Sequence, residues 1–354
     1  MKDIAHDETD AIIKALEKRI TKEYRQAEQE IQARLDDYLK RFKIKDDTWQ
    51  RWVKEGTKTK SQYNDWRISQ MAMGLRWELQ KQDIARELTN VNELAKRVVY
   101  DTMPSVYAEN INYITFDIEH KSLIDTRFHG VNRDTAAGIL KERKLYPDPG
   151  KEAVRKISEG LEMRWNKQQI QSVMLQSILQ GDSIPRIATR LAKTVGEKDR
   201  KAAIRNARTM TTGVENAARI DGLERAKSMG IDVQKQWLAT IDDRTRHEHR
   251  ILDGQTRDSD EPFEVDGYEI MFPGDPDCKE PSMIYNCRCS LISSIKNFER
   301  DLSDVSQRRS KLGEMSYDEW KEAKAISQDI LHQDKVAATM KGVYIAKYKG
   351  YIDW

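Results

Sequence analysis

Cysteine is scarce, with three in 354 residues. An odd number leaves at least one thiol without an internal partner, so the chain is not built on the disulfide framework of a small secreted domain. Long apolar runs are missing too. No stretch approaches the roughly 18 residues that suggest a bilayer span, and the opening MKDIAHDETD lacks the apolar segment of a secretory signal. Synthesis and assembly in the cytoplasm, with no membrane involved, is the expectation. Nor is there an excess of one charge: charged residues make up 34% of the chain, yet the net charge is +2. A case for nucleic acid must therefore be regional. No P-loop, dinucleotide fingerprint, zinc-finger spacing or helix-turn-helix signature occurs, and no internal repeat. The tryptophans are scattered, so no base-stacking platform declares itself. What the length allows is two or three domains with at least one sizeable core.

Helical periodicity dominates the first half. Apolar residues fall at Ile13, Leu16, Ile20, Tyr24, Ala27, Ile31, Leu35, Tyr38 and Phe42, in steps of three and four that predict one long amphipathic helix. The pattern repeats every eleven residues, which favours a nearly straight pack over a left-handed coiled coil. The stripe either packs on the protein's own helices or serves a partner or sister subunit. Further helices are expected across Asn64–Val99, Arg133–Arg143 and Lys151–Gln180, while YAENINYITFDIEH reads as an irregular helix or a short strand. The prolines and glycine of LYPDPG mark a turn. A short helix is expected from Ile187, then a long one from Glu197 or Lys198 to Met229, closed by Gly230.

Alternation in IDVQKQWLATI predicts a strand through Trp237, and DDRTRHEHRILDGQ a turn and short helix. FEVDGYEIMFP predicts a hairpin at Asp266-Gly267. A long loop then runs through YNCRCS into a last strand. The fold class is α+β: a mostly helical N-terminal region with long helices (1–184), a small mixed α+β domain (185–296) and a C-terminal tail (297–354). The tail's last stretch, KGVYIAKYKGYIDW, reads as a short hairpin, a docking peptide or an ordinary packed terminus.

Two cysteines one residue apart, Cys287 and Cys289, close too tight a ring for an ordinary disulfide. In an extended segment both thiols share one face and Arg288 the other. The thiols then either pack as small hydrophobes, with Arg288 facing solvent or an acidic partner, or join His249, and Cys278 as a further candidate, around a structural zinc. Asp242, Asp243, Glu248, Asp253 and His249 admit a third reading as a two-metal phosphodiesterase, against salt bridges, turns and a cap on the short helix. Gly254 and Gly267 suit tight turns. The basic bias is greatest in Arg186, Arg190, Lys193, Lys198, Arg200, Lys201, Arg205 and Arg208, eight cations against Glu197 and Asp199. Such a face either holds DNA phosphates without reading bases or is a solvated helix face with one or two arginines folded onto the Asp242–Asp243 turn.

The series RNARTMTTGVENAAR, KQWLATIDDRTRHEHRILDGQ, FPGDP and NCRC resembles, in order and spacing, the C-terminal domain of the minor head protein, or head morphogenesis, family of tailed bacteriophages. The resemblance covers about residues 185–295. Carried over residue by residue, its pattern marks Arg205, Thr209, Glu215, Trp237, Asp242, Arg244, Thr245, His249, Asp253, Gly254, Pro273, Asn286, Cys287, Arg288 and Cys289. It implies a low-copy virion protein inside the head near the portal, with no catalytic residues. The implied partners are the portal protein, capsid or scaffold proteins, and double-stranded DNA bound without sequence preference. One common form of the family has paired cysteines at the turn and a histidine before the last cysteines. Here Arg246 and His249 stand at the turn and Met283 or Ile284 lies in the loop, which removes ligands from a four-ligand zinc site.

Overall fold

The structure is a computed structural model and describes residues 3–143, 145, 152–296 and 312–324. The LYPDPG turn beyond Leu145, and the tail apart from 312–324, lie outside the described residues. Helices α1 (Ile4–Lys40), α2 (Lys43–Lys54), α3 (Lys60–Met71), α4 (Leu75–Ser122), α5 (Arg133–Arg143), α6 (Glu152–Leu179) and α7 (Ile184–Ser228) come first. They are followed by β1 (Val233–Leu238), α8 (His247–Leu252), β2 (Thr256–Arg257), β3 (Phe263–Val265), β4 (Tyr268–Ile270), α9 (Pro281–Ile284), β5 (Ser290–Ile295) and α10 (Tyr317–Ala323). The expected α+β class, with long helices leading into small antiparallel sheets, is the one observed.

Contacts divide the chain into two compact units that interleave in sequence. One takes the described residues of Met1–Leu16, Val98–Asp148 and Arg205–Trp354, the other Glu17–Arg97 and Pro149–Ile204. Helices α1, α4 and α7 each contribute a segment to both.

In the second unit the stripe of α1 packs inward. Ile31, Leu35, Tyr38 and Leu39 join Met71 of α3, Trp77, Ile84 and Leu88 of α4, Met174 and Ile178 of α6, and Ile187 and Leu191 of α7 in one core. Every stripe residue from Ile13 to Tyr38 is buried within the single chain, so the stripe serves intramolecular packing rather than a subunit seam. Asp46 and Arg67 form a buried ion pair there: Arg67 Nε donates to Asp46 Oδ1 at 2.8 Å and Nη2 to Oδ2 at 3.1 Å. Tyr63 donates to the same carboxylate at 2.8 Å, and Arg67 Nη1 to the Asp182 carbonyl at 2.7 Å. With its lone pairs and protons met in this way, the pair avoids the desolvation penalty of a lone buried charge.

Two expectations on helix extent are corrected. The segment YAENINYITFDIEH lies wholly inside α4, neither irregular nor a strand. Residues 105–119 are buried without interruption, so no polar face exists to mark the helical period. Likewise α7 is one helix from Ile184 through Gly196, not two. A single helical glycine costs about 1 kcal/mol relative to alanine, and packing on either side overrides it. The end of α7 is as expected: Gly230 takes φ +85°, and the Ile231 N–H returns to the Ala226 carbonyl at 3.1 Å.

The first unit carries an antiparallel sheet in the order β2-β1-β5, with Trp237 opposite Leu291 and Lys235 opposite Ser293. A separate β3-β4 hairpin turns through Asp266 and Gly267, both at positive φ. The core joins Ile114 and Ile118 of α4, Ala217, Ile220 and Leu223 of α7, Trp237, Phe263, Cys287, Cys289 and Leu291. Helices α4 and α7 approach closely enough that a Cβ on Gly222 would stand 2.3 Å from Ile114 Cγ2. A glycine is required at that crossing.

Candidate functional site

Strand β1 ends at Leu238, and the chain after it folds into a ring of local hydrogen bonds. The Asp242 N–H donates to Thr245 Oγ1 at 3.0 Å, and the Arg244 N–H to Asp242 Oδ1 at 2.9 Å, an Asx-type turn that its Asp and Thr favour. Asp242 does not cap α8, contrary to the sequence expectation: the N-cap is Arg246, without a side-chain bond. The carboxylate is taken instead by Arg288, whose Nη1 and Nη2 each donate at 2.6 Å in a fork. That bond, more than any other influence, holds the Asp242 carboxyl far below the usual range. Thr240 donates to the Arg288 carbonyl at 2.6 Å, so the turn and the Cys-Arg-Cys segment are joined by side chain and backbone together.

Below this turn the second half of α7 organises the loops. Thr209 accepts from the Asn286 N–H at 3.2 Å and Thr212 donates to the Cys287 carbonyl at 3.1 Å. Asn216 donates to the carbonyls of Pro273 and Cys289 at 3.2 and 3.3 Å and accepts from the Leu291 N–H at 2.8 Å. The FPGDP loop lies directly on the helix. A Cβ on Gly274, which has φ +78°, would stand 2.7 Å from the Gly213 nitrogen. Asp253 accepts from the Ala239 N–H at 2.9 Å, and Gly254, at φ +78°, donates to the Trp237 carbonyl at 2.8 Å. Both residues therefore close the α8 loop back onto β1.

Cys287 and Cys289 are both buried, and Arg288 lies on the acidic turn. The expected alternation of facing holds, although β5 proper begins only at Ser290. From α8, His249 reaches between the thiols. Its Nδ1 lies 3.3 Å from Cys289 Sγ and 3.6 Å from Cys287 Sγ, and its Nε2 lies 3.0 Å from the Met283 carbonyl. Trp237 stands edge-on to the imidazole at 5.6 Å between centroids. The two thiols differ. A hydrogen bond from Cys287, then the adjacent His249, hold the Cys289 thiol down at about 5, while burial pushes Cys287 well above the usual thiol range. Cys278 is not part of this cluster: it sits in the loop after β4, with its sulfur directed to the Glu269 carbonyl at 3.7 Å.

These residues line a pocket of about 260 Å³ walled by Arg208, Arg244, Arg246, Arg288, Thr240, Thr245, Asn286, His249 and both cysteines. Arg205 does not reach the Asp242 turn and lies over the Tyr285 ring at 4.6 Å. Glu215 of the motif faces elsewhere, bonding His6 Nδ1 at 2.7 Å beside the buried Arg219. Arg219 itself grips Asp3, Asn110 and the Leu291 carbonyl.

Of the basic run, Arg186 and Arg190 pair with Asp182 at 3.3 and 3.0 Å, Lys201 pairs with Glu197 at 2.8 Å, and Lys198 lies over the Trp165 ring at 4.9 Å. Lys193 is exposed and Arg200 half-buried. All six belong to the second unit, and the pocket to the first. The carboxylates named for a two-metal site do not converge, since Asp242 is held by Arg288, Asp243 is exposed, and Asp253 caps the end of β1. Asn216, Gly213, Gly274 and Arg219 were not singled out from the sequence. The GVENAAR run sets polar residues among small ones on an all-buried helix face, which leaves no periodic signal to separate them.

Comparison with known proteins places this geometry. Residues 168–292 match the family described as Phage Mu protein F like protein. An NAD(+)–arginine ADP-ribosyltransferase EFV of Enterococcus faecalis (strain ATCC 700802 / V583) is 32% identical over 159 residues, which is 43% of this chain and 31% of that protein. Minor head protein GP7 of Bacillus phage SPP1 is 33% identical over 164 residues, 45% of this chain and 51% of that protein. The chain thus spans about half the length of one relative and about a third of the other. No solved structure matches it. The helix, strand, turn and cysteine segment described above all fall within residues 168–292, the part of the chain that matches the Phage Mu protein F like family.

Proposed function

We propose that the protein is a structural minor head protein of a tailed bacteriophage, associated with the portal in the procapsid and in contact with packaged DNA. The observation that carries this reading is the match of residues 168–292 to the head morphogenesis family, together with the likeness to a phage minor head protein. The role is in head assembly or genome delivery. The setting is the virion, inside the head near the portal, after assembly in the host cytoplasm. No helix among the described residues is long and apolar enough to cross a membrane. Capsid or scaffold proteins are further partners under this reading.

Contact with DNA rests on charge. Among the described residues, Lys193, Arg200 and Lys198 form no ion pair with a carboxylate, whereas Arg186, Arg190 and Lys201 lend part of their charge to neighbours. Reversal of Lys193, Lys198, Arg200 and Lys201 to glutamate is expected to weaken binding to duplex DNA at least tenfold and to flatten its salt dependence. Unchanged affinity in a filter-binding titration across salt would remove this face from the account. Metal-dependent nuclease activity, the alternative that the carboxylates raised, gains no support from carboxylates that do not converge. The transferase activity in the name of the Enterococcus relative is not carried over from a match to 31% of that protein.

A further inference from the structure

We propose that His249, Cys287 and Cys289 bind one zinc ion, held by Nδ1 and two thiolates, with the fourth position open to the arginine-lined pocket. The three ligand atoms lie within 4.8 Å of one another and all three residues are buried. Zinc bonds of about 2.3 Å to sulfur and 2.0–2.1 Å to imidazole, set at the tetrahedral angle, require a nitrogen-to-sulfur separation of ~3.5 Å. The separations here are 3.3 and 3.6 Å. Two sulfurs at that distance from one ring nitrogen, from a residue 38 and another 40 positions away, are what a common ion between them needs.

The surroundings point the same way. The Met283 carbonyl can only accept, so Nε2 carries a proton, and Nδ1 faces both sulfurs, where it would offer its lone pair to a metal. A metal-bound histidine is ordinarily oriented by such a bond from its other nitrogen to a carbonyl. The Cys289 N–H donates to Cys287 Sγ at 3.4 Å. Trp237 Nε1, on a fully buried ring packed on His249, has no hydrogen-bond partner among the described residues. The Cys289 N–H suits a sulfur that carries negative charge. One divalent cation with two thiolates and a neutral imidazole is electrically neutral as a unit, which keeps the cost of burial low. The mixed sulfur and nitrogen donor set favours zinc over magnesium, calcium or manganese. Cys278, held at the Glu269 carbonyl, is not a ligand.

The ion would tie together α8, α9 through Met283, and the lead into β5, adding to the core that Leu252, Met283 and Leu291 already share. The test is elemental analysis of the purified full chain with cobalt substitution of the chelator-treated protein. Expected are one zinc per chain and a visible cobalt spectrum typical of tetrahedral, two-thiolate coordination. Cys289→Ser should lose at least nine-tenths of the metal, and Cys278→Ser should retain it. Stripping the metal should lower the melting temperature of wild type and leave that of a folded Cys289→Ser variant unmoved. The proposal is overturned by a folded wild type that takes up neither zinc nor cobalt. It is equally overturned by copper in place of zinc, or by metal that persists in Cys289→Ser and vanishes in Cys278→Ser. Because wild-type uptake is read directly, a variant that fails to fold does not shield the proposal.

Discussion

Gly274 shows how a single residue sets the site. Its positive φ and its contact with the backbone of α7 at Gly213 each exclude a side chain. Gly274→Ala should therefore cost about 2 kcal/mol or more, since left-handed strain and a backbone clash add. Thermal melts of the two proteins check this. An alanine variant as stable as wild type would mean that the FPGDP loop does not lie on the helix. Other single residues were legible beforehand. The opposite facing of Arg288 and the two thiols follows from alternation along an extended segment, and the fork of Arg288 on Asp242 satisfies the acidic partner that facing requires. What could not be read was which arginine would take Asp242. Arg205 and Arg208 are close in sequence to the right helix, but Arg205 stacks on Tyr285, and partner choice across the fold depends on backbone placement that local pattern does not encode.

Between elements, the start of α1 is fastened to the middle of α7 by charge. Burial alone would lower the His6 pKa, but the Glu215 carboxylate against it, reinforced by their hydrogen bond, raises it to about 9. His6 therefore holds its proton more tightly in the folded chain than in the unfolded one. Its stabilisation is complete below about pH 6.5 and disappears as pH rises through about 9, a loss on the order of 3 kcal/mol. Wild type should lose stability over that window by more than His6→Gln does in parallel denaturant titrations. Coincident pH profiles would show that the pair is not coupled to folding. Elements with one polar face, such as α1 and α5, were readable from periodicity. The buried half of α4 was not, because a helix apolar or packed on every side shows no period, and the break placed near Gly196 gave one weak helix breaker more weight than tertiary packing allows.

At the scale of the whole molecule, composition suggests domains that follow one another along the chain, while contacts assign α1, α4 and α7 to two units at once. Long helices make this possible, since a helix of 45 or 48 residues outruns any one core. The motif series, by contrast, sits in one unit, and its parts close on each other: α7 beneath, β1 beside, the Asp242–Gly254 turn and the cysteine segment joined through Arg288, Thr240 and His249. That closure lies within residues 168–292, which match the Phage Mu protein F like family, and it is the structural support for the proposed role in a phage head. The most direct test is to quantify the chain in purified procapsids assembled with and without the portal protein. The account predicts a few copies in portal-containing particles and strong depletion from those lacking it. Equal incorporation in both, or absence from both, would contradict it.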